Sequence, residues 1–136
     1  MIEILIIEED RRRALLAQEC LTRDFSAGVT VAGDGEEALR LLAADGYRPN
    51  LVLLELTPKS LPGHHVLRRI RRSKPKLPIV ILSPSNEVED VCQAYAEGAN
   101  MFVEEPADLN AFRRTIQTIA RLWVEPLAQR RAATAG

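Results

Sequence analysis

The sequence has no long apolar segment. Its longest uninterrupted runs of isoleucine, leucine and valine have four residues, at positions 4–7, 51–54 and 79–82, whereas a membrane-spanning helix needs about 20 apolar residues. No basic segment precedes the first run, and acidic residues follow it, which is unlike a secretory signal peptide. We therefore expect a protein without a membrane anchor or a secretion signal.

A large net charge is also missing. Eighteen Lys and Arg against 19 Asp and Glu give a net charge of −1, so no overall field attracts nucleic acids or membranes. Apolar residues at 46% and charged residues at 27% are the proportions of a folded domain rather than of a disordered chain. The 136 residues have the length of one domain, and we expect almost no room for a separate output module.

Cysteine is scarce and has no paired spacing. Cys20 and Cys92 are far apart in the sequence, and both lie among apolar residues of predicted helices. This arrangement favours two buried free thiols over a disulfide or a metal site, and a reducing cytoplasm as the setting.

Five short apolar runs alternate with segments that have helical spacing. The first, third and fourth runs are rich in Ile, Val and Leu throughout, which is typical of strands buried on both faces of a parallel sheet. Strict alternation predicts an α/β fold, with a doubly wound, five-stranded parallel sheet in a three-layer sandwich. The runs lie at residues 3–7, 29–32, 51–56, 78–83 and 101–103.

Several residues mark where helices begin and end. Gly46 and Gly98 stand where helices should stop, and Pro126 is expected to bend or end the last helix. The small and polar residues 126–136 predict a short, flexible tail. Two capping boxes are predicted, Asp34 with Glu37 and Asn86 with Glu89.

Acidic side chains follow or end most of the predicted strands. In a doubly wound sheet, ligands bind outside the carboxyl ends of the strands. We therefore expect several carboxylates to gather around one hydroxyl at this edge. These residues are Glu8, Glu9 and Asp10 after the first run, Glu55 in the third, Ser83 at the end of the fourth, and Glu104 and Glu105 after the fifth.

Four motifs together resemble the receiver domain of two-component response regulators. They are ILIIEED, PNLVLLEL, PIVILS and EGANMFVEEP, and the resemblance covers residues 2–125. It implies a flavodoxin-like fold, a receiver domain at 1–125, and a stand-alone signalling protein whose partner is a sensor kinase or a downstream protein. It also implies no membrane partner and makes nucleic acid an unlikely one.

The resemblance also implies a role for individual residues. In the family, an acidic pair and a backbone carbonyl hold Mg²⁺ beside a phosphoacceptor aspartate, and a hydroxyl and a lysine bind the phosphoryl oxygens. Carried over, the acidic pair is Glu8 and Glu9, the phosphoacceptor position is Glu55, the carbonyl is that of Thr57, the hydroxyl is Ser83, the lysine position is Glu105, and the aromatic residue that switches is Phe102. The implied Mg²⁺ site is Glu8, Glu9, Glu55 and Thr57.

Departures from the family pattern change the functional interpretation. Glu55 is one methylene longer than aspartate, and a misplacement of about 1 Å can cost on the order of 100-fold in such chemistry. Glu105 places an anion where the family has a cation. We therefore favour a pseudo-receiver that is not an enzyme and acts by phosphorylation-independent protein–protein contact. A constitutively active phosphomimic, or an atypical Mg²⁺-dependent phosphorylation, remain the alternatives.

The predicted acidic cluster lacks the lysine that normally offsets it. Like charges about 4–6 Å apart raise the pKa of at least one carboxyl unless a cation is bound. The cluster of Glu8, Glu9, Glu55 and Glu105 should therefore hold a divalent cation or keep one carboxyl protonated. One of the arginines at 11–13 could fold over it as a substitute cation.

Other features have simpler interpretations beside the functional ones. For Phe102 we favour a role in packing over a role as a switch. Ser83 suits a role in the site and a role as a cap for the next loop equally well. For His64 and His65 we favour a position at a water-exposed helix start over a role in a metal or catalytic site. The basic run at residues 68–76 has no aromatic interleaving, so a solvated helix end is favoured over a nucleic-acid site.

Trp123 lies between Leu122 and Val124, and three consecutive apolar residues cannot all face one core. Part of this surface should therefore be exposed, and a tryptophan suits the centre of an interface. In receivers the fourth helix, fifth strand and fifth helix form the usual contact surface. We therefore expect a homodimer or partner interface there, including Phe102 and Trp123.

Overall fold

A computed structural model describes residues 1–56 and 63–135. Strands and helices alternate along these residues, as the apolar pattern predicts. The strands are β1 (Glu3–Ile7), β2 (Gly28–Ala32), β3 (Leu51–Glu55), β4 (Ile79–Ser83) and β5 (Met101–Glu104). The helices are α1 (Arg11–Phe25), α2 (Gly35–Ala43), α3 (Gly63–Ser73), α4 (Val88–Ala96), α5 (Leu109–Ile119) and α6 (Glu125–Ala135), with a π-helical turn at Ala120–Val124.

The five strands form one parallel sheet in the order β2-β1-β3-β4-β5. The chain moves outward from β1 in one direction to β2 and in the other direction to β3, β4 and β5. Such a reversal leaves a crevice at the carboxyl ends of β1 and β3. The predicted fold class, a flavodoxin-like doubly wound sheet, is confirmed.

Helices cover both faces of the sheet and make the three predicted layers. Ile4 and Ile6 belong to the apolar core beneath α1 and α5, whereas Leu5 and Ile7 belong to the core beneath α2, α3 and α4. Because both faces are covered, the central strands are apolar at successive positions rather than at alternate ones. No helix within the described ranges is long and apolar enough to cross a membrane.

One of the two predicted capping boxes forms in part, with its return hydrogen bond shifted from Asp34 to Gly33. Asp34 accepts a hydrogen bond from the backbone N–H of Glu37 at 2.8 Å, and the Glu37 carboxylate accepts one from the N–H of Gly33. The prediction for Asn86 is wrong. Helix α4 begins one residue later than that box requires, with Glu87 at its N-cap, and the Asn86 side-chain amide instead lies 3.4 Å from Glu104 Oε2.

Helical backbone continues past Pro126, so the last helix does not end there. In the π-helical turn, the N–H of Glu125 donates to the carbonyl of Ala120, five residues earlier. Proline has no N–H, and its ring clashes with the carbonyl four residues before it in a regular helix. A widened turn immediately before Pro126 accommodates that ring. The flexibility of residues 126–136 stays a prediction.

The prediction of two buried thiols holds for one cysteine. Cys20 is buried in the core under α1, whereas Cys92 is exposed on α4. Helix α4 turns Ala94 into the core and leaves Val91 half-buried. Cys92 lies between them in the sequence, on the outer side of the helix, so its apolar neighbours were a misleading signal.

Arg71 holds two loops together and is not the solvated side chain that the basic run predicts. Its guanidinium donates to the carbonyls of Lys74 and Pro75 after α3, and to the carbonyl of Gly98 after α4. It also donates to Asn100 Oδ1 at 2.8 Å. Gly98 has a φ of 111° and closely approaches Arg71, so both the backbone conformation and the space require glycine.

Candidate functional site

Three glutamates meet at the carboxyl ends of the strands. Glu8 follows β1 and is buried, Glu55 ends β3, and Glu105 follows β5 with a side chain only 6% exposed. One carboxylate oxygen from each lies within 4.8 Å of the other two. The parallel register brings these positions to one edge, since the backbone N–H of Glu105 donates to the carbonyl of Ser83 at 2.7 Å.

Glu9 does not join this cluster, although we predicted four converging glutamates. Its side chain is exposed, and it lines a narrow cleft with Glu8, Asp34 and Glu55. The cleft holds about 20 Å³, roughly the room for one water molecule or ion. Asp10, the next acid along the chain, is the N-cap of α1 and accepts from the N–H of Arg12 at 2.9 Å.

The environment of the three glutamates favours their neutral forms. Burial raises the pKa of Glu55 to about 8, and hydrogen bonding and charge repulsion from Glu8 add to this effect. Burial and the neighbouring Glu55 charge raise the pKa of Glu105 to about 7, and burial raises the pKa of Glu8. At neutral pH the cluster therefore retains at least one proton between its carboxylates.

Two carboxylate oxygens in the cluster have no N–H or O–H donor within the described residues. They are Oε2 of Glu55 and Oε2 of Glu105, and both are buried. Buried polar atoms need a partner. A proton shared between neighbouring carboxylates satisfies them, and so does a divalent cation, for which oxygen ligands at this spacing are suitable.

Arg13 supplies the cation that the sequence led us to expect from one of three arginines. Its Nη1 lies 3.1 Å from Glu105 Oε1, and its side chain is 16% exposed. The same guanidinium donates to the carbonyls of Pro106 and Ala107 at 2.9 and 3.0 Å. Its Cζ lies 5.1 Å from the centre of the Phe112 ring, within cation–π range. Arg13 therefore fixes the β5–α5 loop to the start of α1.

The remaining predicted residues have mainly structural contacts. Ser83 is buried, and its Oγ accepts from the N–H of Ser85 at 3.1 Å, as a cap for the next loop. Phe102 is half-buried against the core under α4, and its N–H donates to the hydroxyl of Tyr95 at 3.0 Å. Thr57 lies outside the described residues.

Trp123 is half-buried against the core under α5, with its indole Nε1 3.2 Å from Met101 Sδ. Val124 is buried, and Leu122, at 51% exposed, is the apolar residue of this trio that faces outward. The expected exposed patch near the end of α5 therefore exists, but leucine rather than tryptophan forms its outer surface.

His64 differs from the water-exposed residue we predicted. It is half-buried in the first turn of α3, and its Nδ1 lies 2.7 Å from Glu97 Oε1 at the end of α4. The second oxygen of Glu97 accepts from Arg68 at 2.7 Å. His65 is also half-buried. This group joins α3 to α4.

Comparison with known families decides the family to which the chain belongs. The sequence pattern of the response regulator receiver domain matches residues 4–117. The chain belongs to this family. The glutamate cluster of this receiver domain thus lies at the carboxyl edge of the sheet, where the resemblance placed the phosphoryl-binding residues.

Two curated relatives cover most of this receiver domain. It is 30% identical over 128 residues to the protein named probable methanogenesis regulatory protein FilR2 of Methanothrix harundinacea, covering 89% of this chain and 83% of that protein. It is 28% identical over 130 residues to response regulator Rcp1 of Synechocystis, covering 90% and 88% respectively. A third relative, transcriptional regulatory protein AfsQ1 of Streptomyces coelicolor, is 32% identical, and this chain spans 52% of its length.

Solved structures agree with the fold over nearly the whole receiver domain. The Mn²⁺-bound form of response regulator Rcp1 has a TM-score of 0.84 at 27% identity, covering 92% of this chain and 96% of that one. The phosphorylated cyanobacterial phytochrome response regulator RcpA has a TM-score of 0.83 at 27% identity, covering 90% and 94%. These are states of those two proteins, one with a bound metal and the other with a phosphoryl group.

Proposed function

We propose that this receiver domain signals through protein–protein contact without transfer of a phosphoryl group to Glu55. The observation that supports this most directly is the pairing of Glu105 with Arg13. The residue at the lysine position is a glutamate rather than a cation, and the arginine that faces it is already engaged with two loop carbonyls. An incoming phosphoryl group would meet carboxylates and find no free cation among the described residues of this pocket.

The length of Glu55 supports the same proposal. Its carboxylate reaches toward Glu8 and Glu105, and one oxygen of each lies within 4.8 Å of the others. Attack on a phosphoryl group requires an ionised, aligned oxygen. Burial and Glu8 instead raise the pKa of Glu55 to about 8, so at neutral pH this carboxyl is mainly protonated and a poor nucleophile.

Acetyl phosphate with Mg²⁺ tests this proposal by intact mass. We expect the wild type to gain no phosphoryl group, because Glu55 is too long and Glu105 repels phosphate oxygens. The matched variant, Glu9→Asp with Glu55→Asp and Glu105→Lys, restores the residue types of the family and is expected to be phosphorylated. A stable phosphoryl adduct on the wild type contradicts the proposal. An unmodified triple variant shows that these three positions are not the cause.

In a second candidate function, the domain binds a divalent cation. The three clustered carboxylates favour this alternative. Glu8, Glu55 and Glu105 would hold such an ion, in place of the set Glu8, Glu9, Glu55 and Thr57 predicted from the family. The ion would supply the positive charge that the two buried oxygens lack. In this alternative, the chain is either an atypically phosphorylated, Mg²⁺-dependent receiver or a domain held in an active-like state.

We further propose that the partner surface is the face formed by α4, β5 and α5, and that it supports a homodimer or contact with a sensor kinase or downstream protein. Several large apolar side chains on or next to this face are exposed without an apparent role in the core. They are Val88 at 72%, Leu122 at 51%, Tyr95 at 47% and Leu109 at 37%. Exposed apolar groups gathered on one face are typical of interaction sites.

The oligomeric state of Leu122→Glu tests this surface. We expect the wild type to dimerise in sedimentation experiments and the variant to weaken the dimer at least about tenfold, because a charge replaces an apolar contact. Leu15→Glu is the matched control, since Leu15 is 57% exposed on α1, outside that face. A wild type that stays monomeric at all concentrations, or a dimer unaffected by Leu122→Glu, contradicts the homodimer.

A further inference from the structure

Two adjoining clefts form a groove near the amino ends of β3 and β4. One of about 570 Å³ lies between the loop before β3 and the loop after α3, and the other, of about 410 Å³, lies between α2 and α3. Ser73 and Lys74 line both clefts, which makes them one continuous surface. We call this surface the basic groove.

The described lining of the basic groove contains cations and no carboxylate. Its charged residues are Arg48, Arg69, Arg72, Lys74 and Lys76. None of the five forms an ion pair with an acidic side chain in residues 1–56 or 63–135, in contrast with Arg13 and Arg68. In a chain with a net charge of −1, five unpaired cations on one surface make a local positive field that the overall charge conceals.

The walls of the groove are largely apolar, and hydrogen bonds hold part of its backbone. Leu39, Leu42 and Leu77 line it together with three prolines, at positions 49, 75 and 78. Arg71 holds the backbone at Lys74 and Pro75 by donating to their carbonyls. A site whose backbone is already ordered loses less conformational entropy when a ligand binds.

The basic groove lies at the amino ends of the strands, whereas the glutamate cluster lies at their carboxyl ends. Pro49 and Asn50 precede β3 and Pro78 precedes β4, whereas Glu55 ends β3. A five-residue parallel strand spans roughly 16 Å. The groove also lies outside the α4–β5–α5 face, so an interaction there is independent of the proposed function and of phosphoryl chemistry.

We propose that the basic groove binds a segment of a partner protein in which acidic and apolar side chains alternate. The acidic side chains complement the five cations, and the apolar ones pack on the leucine and proline walls. A nucleic acid would use only the charges, and the described lining offers no aromatic side chain on which its bases could stack. The combination of cations with apolar walls therefore favours a peptide.

Selection from a displayed library of random peptides tests this proposal and requires no named partner. The wild type is compared with Arg72→Glu combined with Lys76→Glu, both exposed and unpaired residues of the groove. The control combines Arg121→Glu with Arg130→Glu, which makes the same change of net charge at exposed arginines elsewhere. Circular dichroism melts confirm that all variants fold.

We expect peptides with alternating acidic and apolar residues to be enriched on the wild type and on the control. Their affinity for the groove variant should fall at least about tenfold, and their amide shift changes should centre on residues 69–78. No such enrichment, equal binding by the groove variant, or equal loss in the control overturns the proposal. Tighter binding of a single-stranded oligonucleotide or of phosphatidylserine vesicles at the groove also overturns it, in favour of those ligands.

Discussion

Glu55→Gln is expected to stabilise this receiver domain at pH 9 by on the order of 2 kcal/mol, which is roughly 6 °C in Tm, and to have little effect near pH 4.5. The pKa of Glu55 is raised from 4.5 to about 8 in the folded protein. Its contribution to stability is therefore fully present below pH 4.5 and is lost as the pH rises through about 8. Glutamine keeps a hydrogen-bond donor toward Glu8 and never ionises. Thermal melts at pH 5, 7 and 9 measure the difference.

Glu104→Gln is the control for this prediction, because Glu104 neighbours Glu105 in the sequence but is exposed. Its melting curve should follow that of the wild type at each pH. Mn²⁺ or Mg²⁺ added at pH 9 distinguishes the two occupants of the cluster. If a cation binds, it raises the Tm of the wild type and not that of Glu55→Gln. Equal pH dependence in the wild type and Glu55→Gln contradicts the raised pKa.

Arg13→Ala is expected to lower the free energy of unfolding at pH 8 by about 2–3 kcal/mol. Removal of the guanidinium leaves Glu105 buried without its cation and deprives the carbonyls of Pro106 and Ala107 of their donor. Arg13 also opposes the increase in the pKa of Glu105. The loss should therefore be smaller at pH 5, where Glu105 is protonated with or without Arg13. Urea unfolding at both pH values provides the measurement.

The double variant Arg13→Ala with Glu105→Gln isolates the ion pair from the rest of the contacts. If the charge on Glu105 causes most of the loss, the second substitution restores at least half of it at pH 8. Arg12→Ala is the matched control, since the Arg12 side chain is 80% exposed and lies 3.9 Å from Asp10; its effect should stay below about 0.5 kcal/mol. No restoration in the double variant would assign the loss to the loop carbonyls instead.

The sequence predicted the sheet well because burial on both faces leaves a strong local signal. The apolar runs at the start of the chain and around residues 53 and 80 indicate strands independently of the segments that flank them. Helix ends were less certain, since a cap depends on which side chain reaches which N–H. Asp34 finds its expected partner, whereas Asn86 is drawn across the loop toward Glu104.

Three members of the candidate site could be predicted from the sequence, but their contacts could not. Strand order alone brings Glu8, Glu55 and Glu105 to one edge, and the missing lysine raised the possibility of a substitute cation from the arginines at 11–13. That Arg13 performs this role depends on the phase of the first turn of α1. Asp10 sets that phase by capping the helix. The role of Arg71 had no local signal, because its partners are carbonyls far along the chain.

The hydrogen bond between Tyr95 and Phe102 affects how two copies of this protein can associate. Strand β5 lies at an edge of the sheet, and an edge strand with free backbone N–H groups invites another chain to extend the sheet. The Tyr95 hydroxyl occupies the N–H of Phe102, and the exposed charge of Glu104 follows two residues later. Both features oppose strand addition and the aggregation that it can start. Association on this side should therefore proceed through side chains, with each sheet kept to five strands.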